Sequence, residues 1–561
     1  VKSTAQRSAR TDGHRLAAQA LKDLGVTHVY CLAGTPIREL FAHAAALGLR
    51  PIGVRHQQAG VLMALAQNYL AGRITAVALL SAGPAITNAV TGILVARDNC
   101  WPLVVLGGRR PLGMRGMGSF QELDAALLFR SITKWSATVE ETAELPRALE
   151  KAFAVAASGR PGPVYLDLPE DVLTGSGVGR PVAPPRSSTP PIDDALIARA
   201  AEVLLRAERP AMIIGKGARW SEPGAELRAL ADEFSIPFIT SPMGRGFLPD
   251  DHPLCFNDAR GALQRGADLV LLLGARLDWT FRFGAEFAPA ARIVQIDIEP
   301  SEIGVNRPAT VGICGDVKSV LEGILQRLRE KASVFPGAAA QSWHERLSAQ
   351  RTANQNRIRT LLHKDALPMS PHRMLKEVRD FLPRDAITIL DGNVCMAAAQ
   401  QVLPSFLPVS RLTAGNNGCI GVGIPFGIGA KLCRPDRLAL VVCGDTAAGF
   451  NLMEMETAAR HRIPLLVVVA NNQGNSGALV ESAYFGACDE RITMYQPDLR
   501  YDCIASALGG HAEHVERPED LGPALERAAA CGLPALIDVT IDPGAAYPSD
   551  GGPIADEAGD D

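Results

Sequence analysis

Residues 441–477 read VVCGDTAAGFNLMEMETAARHRIPLLVVVANNQGNSG. An apolar run, Leu438–Val442, leads into Gly444-Asp445-Thr446, and a second, Leu465–Val469, leads into Asn471-Asn472-Gln473-Gly474. Asp445 offers a carboxylate, Asn472 an amide oxygen, and the backbone near Gly474 a carbonyl. All three are hard oxygen donors of the kind Mg²⁺ takes when it bridges phosphates. The backbone N–H groups of Thr446 and Ala447, at the start of the helix that follows, are placed to receive the phosphates. Alone, a Gly-Asp pair caps a helix and an Asn-Asn pair makes a turn. Two buried strands with a helix between them make the pair a metal-and-phosphate site.

Those strands belong to a wider pattern. Short runs of Val, Ile and Leu recur at Thr75–Leu80, Leu103–Leu106, Ala211–Ile214, Leu269–Leu273, Ile293–Ile296 and Ile387–Leu390, separated by longer amphipathic segments. Strands apolar at every position are covered on both faces, as in parallel sheets flanked by helices. The fold class is therefore α/β, with three consecutive doubly wound parallel-sheet domains. Two breaks separate them: the proline-rich Gly179–Pro191, and Ser333–Gly337, which precedes a polar helical stretch reaching about Leu362. The expected blocks are 1–178, 192–332 and 370–545. The acidic end, 546–561, reads either as frayed chain or as a flap that orders over a ligand.

Composition narrows the partners. The chain has 561 residues, 47% hydrophobic and 21% charged, with a net charge of −4 and no long basic run, which argues against nucleic acid. Its eleven cysteines form no CxxC pair, which argues for a reducing compartment and against a zinc site. The opening VKSTAQRSARTDGHR has no apolar core of signal-peptide length, and no run of about 18 apolar residues spans a membrane. A cytoplasmic location is expected.

The Asp445–Asn472 signature resembles that of the thiamine-diphosphate enzymes, where GD(G/S) and NN flank a spacer of similar length. Thr446 stands at the third position. HVYCLAGTPIREL (28–40), VRHQQAGVLMALAQNYL (54–70), LLSAGPAITNAVTGILVARDNCWPLVVLGG (79–108), FQELD (120–124) and SGRPGPVYLDLPEDVL (158–173) resemble the family's pyrimidine-binding domain. TAGNNGCIGVGIPFGIGA (413–430) resembles the segment that grips the pyrimidine ring. The resemblance implies three domains (pyrimidine-binding, middle and diphosphate-binding) with thiamine diphosphate and Mg²⁺ as cofactors. It implies that Gly83, Asn393, Gly418, Ile420, Gly444, Asp445, Thr446, Ala447, Asn472 and Gly474 hold the cofactor, with Asp445, Asn472 and Gly474 on the metal. Ile420 would wedge between the cofactor's two rings. A homodimer or homotetramer with sites at subunit interfaces is implied as well.

The same resemblance exposes a departure. The family's activating Glu lies in RHEQ or RNEQ, but here the segment is Arg55-His56-Gln57-Gln58. An amide still donates a hydrogen bond to the ring nitrogen. It cannot transfer a proton, and such transfer contributes roughly 10²–10⁴ in rate. Three readings stay open: a variant that traps a complex, a slow enzyme, or a non-catalytic cofactor binder.

For acid–base work on a substrate, Glu481 shares a helical face with Ala478. In an apolar chamber its pKa would rise, suiting it to take a hydroxyl proton. Glu490 is a second candidate, and His56 and Gln121 would position polar groups.

DNCWPLVVLGG (98–108), GARLDWTFRFG (274–284), IVQIDIEPSEIGVNRP (293–308) and GDTAAGF (444–450) resemble the branch containing oxalyl-CoA decarboxylase and 2-hydroxyacyl-CoA lyase, most like actinobacterial-type lyases. An acyl-CoA substrate follows from that resemblance, with Arg160, Lys216, Arg276 and Asp297 meeting CoA or an ADP molecule. By the resemblance, Asn475-Ser476 stands where oxalyl-CoA decarboxylase and the animal-type lyases have an Ile-Tyr pair, leaving more room. The expected reaction is cleavage of a 2-hydroxyacyl-CoA to formyl-CoA and an aldehyde or ketone. Oxalyl-CoA decarboxylation and 2-oxo acid decarboxylation or carboligation are the alternatives.

Overall fold

The computed structural model describes residues 10–185, 191–331, 338–475, 477–488 and 490–545, and only the backbone of 338, 339, 477 and 479. Ser333–Gly337, Ser476 and the acidic end 546–561 lie outside the described residues. The chain divides into two compact units. The first comprises Val1–Ser188, Asn417–Asp436 and Asn451–Pro464; the second comprises Thr189–Asn416, Arg437–Phe450 and Leu465–Asp561.

In the first unit, β1 (Arg10–Asp12) pairs antiparallel with β8 (Ser176–Val178). The main sheet holds β2 (His28–Cys31), β3 (Arg50–Gly53), β4 (Ala76–Leu80), β5 (Leu103–Arg109), β6 (Trp135–Thr138) and β7 (Pro163–Pro169), in the order β3-β2-β4-β5-β7-β6. Its pairings are parallel. Strands β4, β5 and β7 are buried at every position; β4 is apolar throughout, and the charges buried in the other two, Arg109 and Asp167, pair at 3.1 Å. The helix Gln57–Ala71 is almost wholly buried and stops at Gly72, whose φ of 72° is left-handed. It packs on the helix Gly423–Cys433 so closely that a Cβ on Gly429 would stand 2.3 Å from the Met63 carbonyl oxygen. Stacked Tyr69 and Trp101, 4.0 Å between ring centroids, extend that contact to Phe426.

The second unit carries two sheets. The middle one comprises β9 (Pro210–Ile214), β10 (Phe238–Thr240), β11 (Leu269–Leu273), β12 (Arg292–Asp297) and β13 (Val311–Cys314), in the order β10-β9-β11-β12-β13. The third comprises β14 (Ile387–Asp391), β15 (Arg411–Leu412), β16 (Ala439–Gly444), β17 (Leu466–Asn471), β18 (His511–Val515) and β19 (Ala535–Thr540), in the order β15-β14-β16-β17-β19-β18. The polar stretch before Leu362 is one helix, Ala338–Leu362. It is anchored by buried Trp343, whose indole N–H donates to Pro210 O at 3.3 Å.

The described residues thus form an α/β protein with three doubly wound parallel sheets. In each, the chain starts on an inner strand, steps to one edge, then crosses back and continues the other way. The reversals fall between β2 and β4, β9 and β11, and β14 and β16. Ligands of open α/β sheets sit beyond the carboxyl ends of strands at such reversals.

Gly429→Ala should destabilise the protein by about 1–3 kcal/mol, because carbonyl and methyl cannot share the space. Gly522→Ala, in the helix Pro518–Ala530 where a Cβ meets nothing within 4 Å, should be neutral or stabilising by about 0.4–1 kcal/mol. Urea unfolding of the two variants tests the contrast.

Candidate active site

At the third reversal, β14 ends in Asp391-Gly392 and β16 in Gly444, with Asp445 opening the helix Asp445–Asn451. Gly392, at φ 95°, lets the two ends meet, since a Cβ there would lie 3.2 Å from Gly444 N. Asn393 follows, exposed, just before the helix Val394–Val402. Asp445 is buried. Its Oδ1 accepts from Thr446 N at 2.7 Å and its Oδ2 from Gly474 N at 2.9 Å.

At the end of β17, Asn471 donates to Asp538 Oδ1 and to Leu499 O, both at 3.0 Å, which fixes the chain entering Asn472. The Asn472 amide meets Asp445 Oδ1 at 3.1 Å and Gly474 O at 3.0 Å. With its nitrogen on that side, it donates to both. With Oδ1 on that side, it stands with each of the other two oxygens at the spacing of about 3 Å that neighbouring ligands take around Mg²⁺ bonded at about 2.1 Å. The donor set, a carboxylate, an amide and a backbone carbonyl, fits a hard divalent cation.

Burial pushes the Asp445 carboxyl up to about 6. An ionised carboxylate taken out of water calls for a compensating charge. One expectation changes here. Thr446 N–H is engaged by the Asp445 side chain, because a carboxylate at the first position of a helix folds back on the next amide. The Thr446 hydroxyl accepts from the Tyr495 phenol at 2.9 Å, and Ala447 is buried in the same turn.

The residues expected at the pyrimidine end lie in the first unit. Gln57 is buried at the start of the helix Gln57–Ala71, and its Oε1 accepts from Asn88 Nδ2 at 3.0 Å. That bond sets Oε1 as the accepting end of the amide and Nε2 as the donating end. His56 caps the helix: its Nδ1 accepts from Gln58 N at 3.2 Å. Partial burial of the ring lowers its pKa, and with Nδ1 accepting from Gln58 N the neutral ring carries its proton on Nε2. Gly83, at φ 60°, lies against Gln121; a Cβ on Gly83 would come within 2.7 Å of the Gln121 Cβ. Gly418 is exposed at φ 66°, a conformation that favours glycine, and Ile420 is half-buried beside it. Asn417, bonded to Asp98 Oδ2 at 3.0 Å, and Asn451, bonded to Gly421 O at 2.6 Å, tie this loop down.

Glu481 needs a correction. It lies on the helix Gly477–Phe485 as expected, but its pKa is lowered to about 2, not raised. Its carboxylate is not in an apolar chamber. It accepts from the hydroxyl and backbone N–H of Thr493 and from the backbone N–H of Ile492 and Met494, all of which favour the charged form. So stabilised, it is a poor base. Glu490 is exposed.

Of the four residues expected at CoA or ADP, Arg160 lies half-buried in the first unit. The other three stand at the carboxyl edge of the middle sheet: Lys216 after β9, Arg276 after β11 and Asp297 at the end of β12. Gly215 and Gly274 bring that edge together, since a Cβ on Gly215 would overlap the Gly274 carbonyl oxygen at 2.1 Å. Asp297 also accepts from Glu299 N at 2.9 Å, shaping its turn, and Arg276 lies 3.8 Å from Asp278. A separate group, Asp502, His514 and Asp538, has ligand-type atoms within 4.8 Å of one another. Asp502 is committed to Arg500, and Asp538 to Asn471 and Tyr501 N.

Residues 11–128, 197–324 and 391–539 match the family descriptions "Thiamine pyrophosphate enzyme, N-terminal TPP binding domain", "central domain" and "C-terminal TPP binding domain". The chain belongs to the thiamine-diphosphate (thiamine pyrophosphate) enzymes. It is 33% identical over 552 residues to 2-hydroxyacyl-CoA lyase 1 of Homo sapiens, covering 95% of both chains. It is 31% identical over 548 residues to oxalyl-CoA decarboxylase of Escherichia coli K12, covering 95% of this chain and 96% of the relative. It is also 34% identical over 542 residues to the acetolactate synthase large subunit IlvG of Mycobacterium tuberculosis, again covering 95% and 96%. Among the described residues no helix is long and apolar enough to cross a membrane.

Sequence reasoning missed three residues of this thiamine-diphosphate enzyme: Asn88, Tyr495 and Glu454. Glu454 is buried and accepts from Arg55 N at 3.0 Å, His56 N at 2.9 Å and the Thr457 hydroxyl at 2.6 Å, so it holds the turn that presents Gln57. A Glu between two methionines in MEMET, at a helix start, was the available signal.

Two outcomes follow for this site. Asp445 has a folded pKa raised from 3.8 to about 6, so its contribution to stability is complete below 3.8 and is lost as pH rises through about 6. The metal-free protein should therefore melt lower above that pH, Mg²⁺ should reverse the loss there, and Asp445→Asn should abolish both effects in scanning fluorimetry. Glu454→Gln should cost about 1–3 kcal/mol in urea unfolding, because an amide NH₂ would face backbone N–H donors.

Proposed function

We propose that this enzyme cleaves a 2-hydroxyacyl-CoA into formyl-CoA and an aldehyde or ketone. Asp445, Asn472 and the Gly474 carbonyl would hold Mg²⁺ against the diphosphate of thiamine diphosphate. Asn393, Gly444, Thr446 and Ala447 line that end, and Gly83, Gly418 and Ile420 serve the ring end. When bound, the cofactor supplies an electron sink for the pair released as the carbon–carbon bond breaks.

The observation that carries the choice of a CoA thioester is the second reversal, in the middle sheet. Lys216, Arg276 and Asp297 put two cations and a carboxylate at one sheet edge. Phosphates and a ribose hydroxyl need such groups, and a free 2-oxo acid does not. The same edge suits ADP. Arg160 is the fourth residue assigned to the nucleotide.

His56, neutral with its proton on Nε2, acts as a hydrogen-bond donor to the substrate oxygen, with Gln121 beside Gly83 as a second positioner. Glu490 is left as the carboxylate for the hydroxyl proton. Gln57 donates from Nε2 to the pyrimidine nitrogen but relays no proton, so turnover is slow. Asn475 is exposed after Asn472, and a Ser rather than a Tyr at position 476 is a smaller side chain suited to a branched acyl group, which favours lyase over decarboxylase. Blocks 1–178, 192–332 and 370–545, a homodimer or homotetramer with shared sites, and a cytoplasmic location complete the reading. Eleven scattered cysteines without a CxxC pair suit a reducing compartment. A carboligase reading is favoured by the acetolactate synthase relative alone.

The test follows formyl-CoA and acetone from 2-hydroxyisobutyryl-CoA, with thiamine diphosphate and Mg²⁺ present. The chain should give both products slowly, and Gln57→Glu should be faster by roughly 10²-fold or more. Formyl-CoA from oxalyl-CoA only would make it a decarboxylase, and acetolactate from pyruvate without CoA a carboligase. No product from any substrate with either protein would leave a cofactor binder.

A further inference from the structure

Immediately after Asn472, residues 473–475 run antiparallel to residues 493–495. Tyr495 N donates to Gln473 O and Asn475 N to Thr493 O, each at 2.8 Å, and Gly474 faces Met494 in a bridge. The approach is close: a Cβ on Gly474 would lie 2.7 Å from Thr493 O and 2.8 Å from Met494 Sδ. The position of the Gly474 carbonyl therefore depends on that neighbouring segment.

Glu481 fastens the segment from the other side. Its Oε1 accepts from Ile492 N at 2.9 Å, and its Oε2 accepts from Thr493 N at 2.5 Å, from Met494 N at 3.2 Å and from the Thr493 hydroxyl. Arg491 adds a bond to Tyr495 O at 3.0 Å. The held segment ends at Tyr495, whose phenol donates to the Thr446 hydroxyl at 2.9 Å. Thr446 adjoins Asp445. A single carboxylate thus anchors a clasp that touches both arms of the oxygen cluster, Gly474 on one and Thr446 on the other.

We propose that Glu481 is a positioning residue for the metal and diphosphate, and that Tyr495 is a diphosphate-binding residue. Glu481 holds 492–494 in place, so the Gly474 carbonyl stays aimed at the metal and the Tyr495 phenol at the phosphate edge of Thr446. A phosphate oxygen arriving there accepts from the phenol in place of the Thr446 hydroxyl, which then turns to donate to the same phosphate. The inference rests on the assignment of Asp445, Asn472 and Gly474 to the metal.

Isothermal titration of the metal-stripped full-length protein with Mg²⁺ and thiamine diphosphate separates the possibilities. Outer partners of metal ligands typically contribute 10–100-fold to affinity, so Glu481→Gln should weaken cofactor binding by roughly that factor. Tyr495→Phe, which keeps the ring and loses one hydroxyl, should weaken it by about 3–10-fold with the melting temperature unchanged. At saturating cofactor, Glu481→Gln should keep the wild-type pH profile of turnover. Unchanged cofactor affinity in both variants would overturn the proposal. So would undiminished affinity with turnover lost in Glu481→Gln, the signature of a proton-transferring group. If Glu481→Gln fails to fold, Thr493→Val, which removes one donor to the same carboxylate, should weaken binding in the same direction, and no weakening overturns the clasp. Asp445→Asn is the control: undiminished binding by that variant would remove the metal assignment itself.

Discussion

A buried carboxylate with other oxygens turned toward it is the constraint on which the third sheet depends. Asp445 sits out of water at the end of β16, and the Asn472 amide and Gly474 carbonyl converge on the same spot. With the Asn472 nitrogen turned inward, its hydrogen bonds to Asp445 Oδ1 and Gly474 O hold the three groups together; with its oxygen inward, a cation would take that part. In a buried setting the electrostatic cost of leaving them bare is large. The surrounding structure is arranged to hold them there. Strands β16 and β17, apolar but for the closing Asn471, fix the two chain ends, Asp538 restrains Asn471, and the clasp from Glu481 to Tyr495 restrains the far side. A rigid frame that holds one carboxylate beside a neutral amide and a carbonyl leaves a place for a single compensating charge.

The same topological device occurs in all three sheets. In a parallel sheet every strand delivers its following loop to one edge, and a reversal of strand order opens a crevice there. The chain fills the three crevices with different chemistry: carboxylate and amide oxygens at β14/β16, cations at β9/β11, and the Gly83 turn at β2/β4. The glycines at these edges serve close approach. Gly392 against Gly444 and Gly215 against Gly274 are places where any side chain would separate the strand ends. Fold and chemistry are therefore divided cleanly, with strands supplying position and edge residues supplying reactivity.

This division explains what could be read from the chain. Strands buried on both faces are mostly apolar, so their sequences announced them: Leu269–Leu273 is β11 as read, Thr75–Leu80 became β4 from Ala76, and Leu103–Leu106 became β5, which runs on to the buried Arg109. Asp445 and Asn472 were legible because each directly follows such a strand. Glu481 was legible only as a helical position. Its partners lie in 492–494, an irregular segment with no periodicity, so the direction of its pKa could not be inferred from spacing along the helix. Glu454 was hidden for a similar reason: its ligands are backbone N–H groups of Arg55 and His56, almost four hundred residues earlier. Side-chain-to-backbone bonds across long sequence separations leave no local pattern. The capture of Thr446 N–H by Asp445 is a matter of rotamer, which sequence does not encode either.

Gln57 can be weighed against this background. Its Oε1 already accepts from Asn88, and a carboxylate in the same place would accept that bond equally well. It would also sit at the amino end of a helix, where negative charge is favoured. The cradle built by Asn88, His56 and Glu454 is thus compatible with the family's acid, and an amide of the same shape occupies it without disturbing the turn. What the amide removes is a titratable proton and the negative charge that goes with its loss. The oxygen cluster at Asp445 owes nothing to that proton, so under the proposed function cofactor binding and turnover would be physically separable: the pyrimidine end would set the rate and the metal end the occupancy.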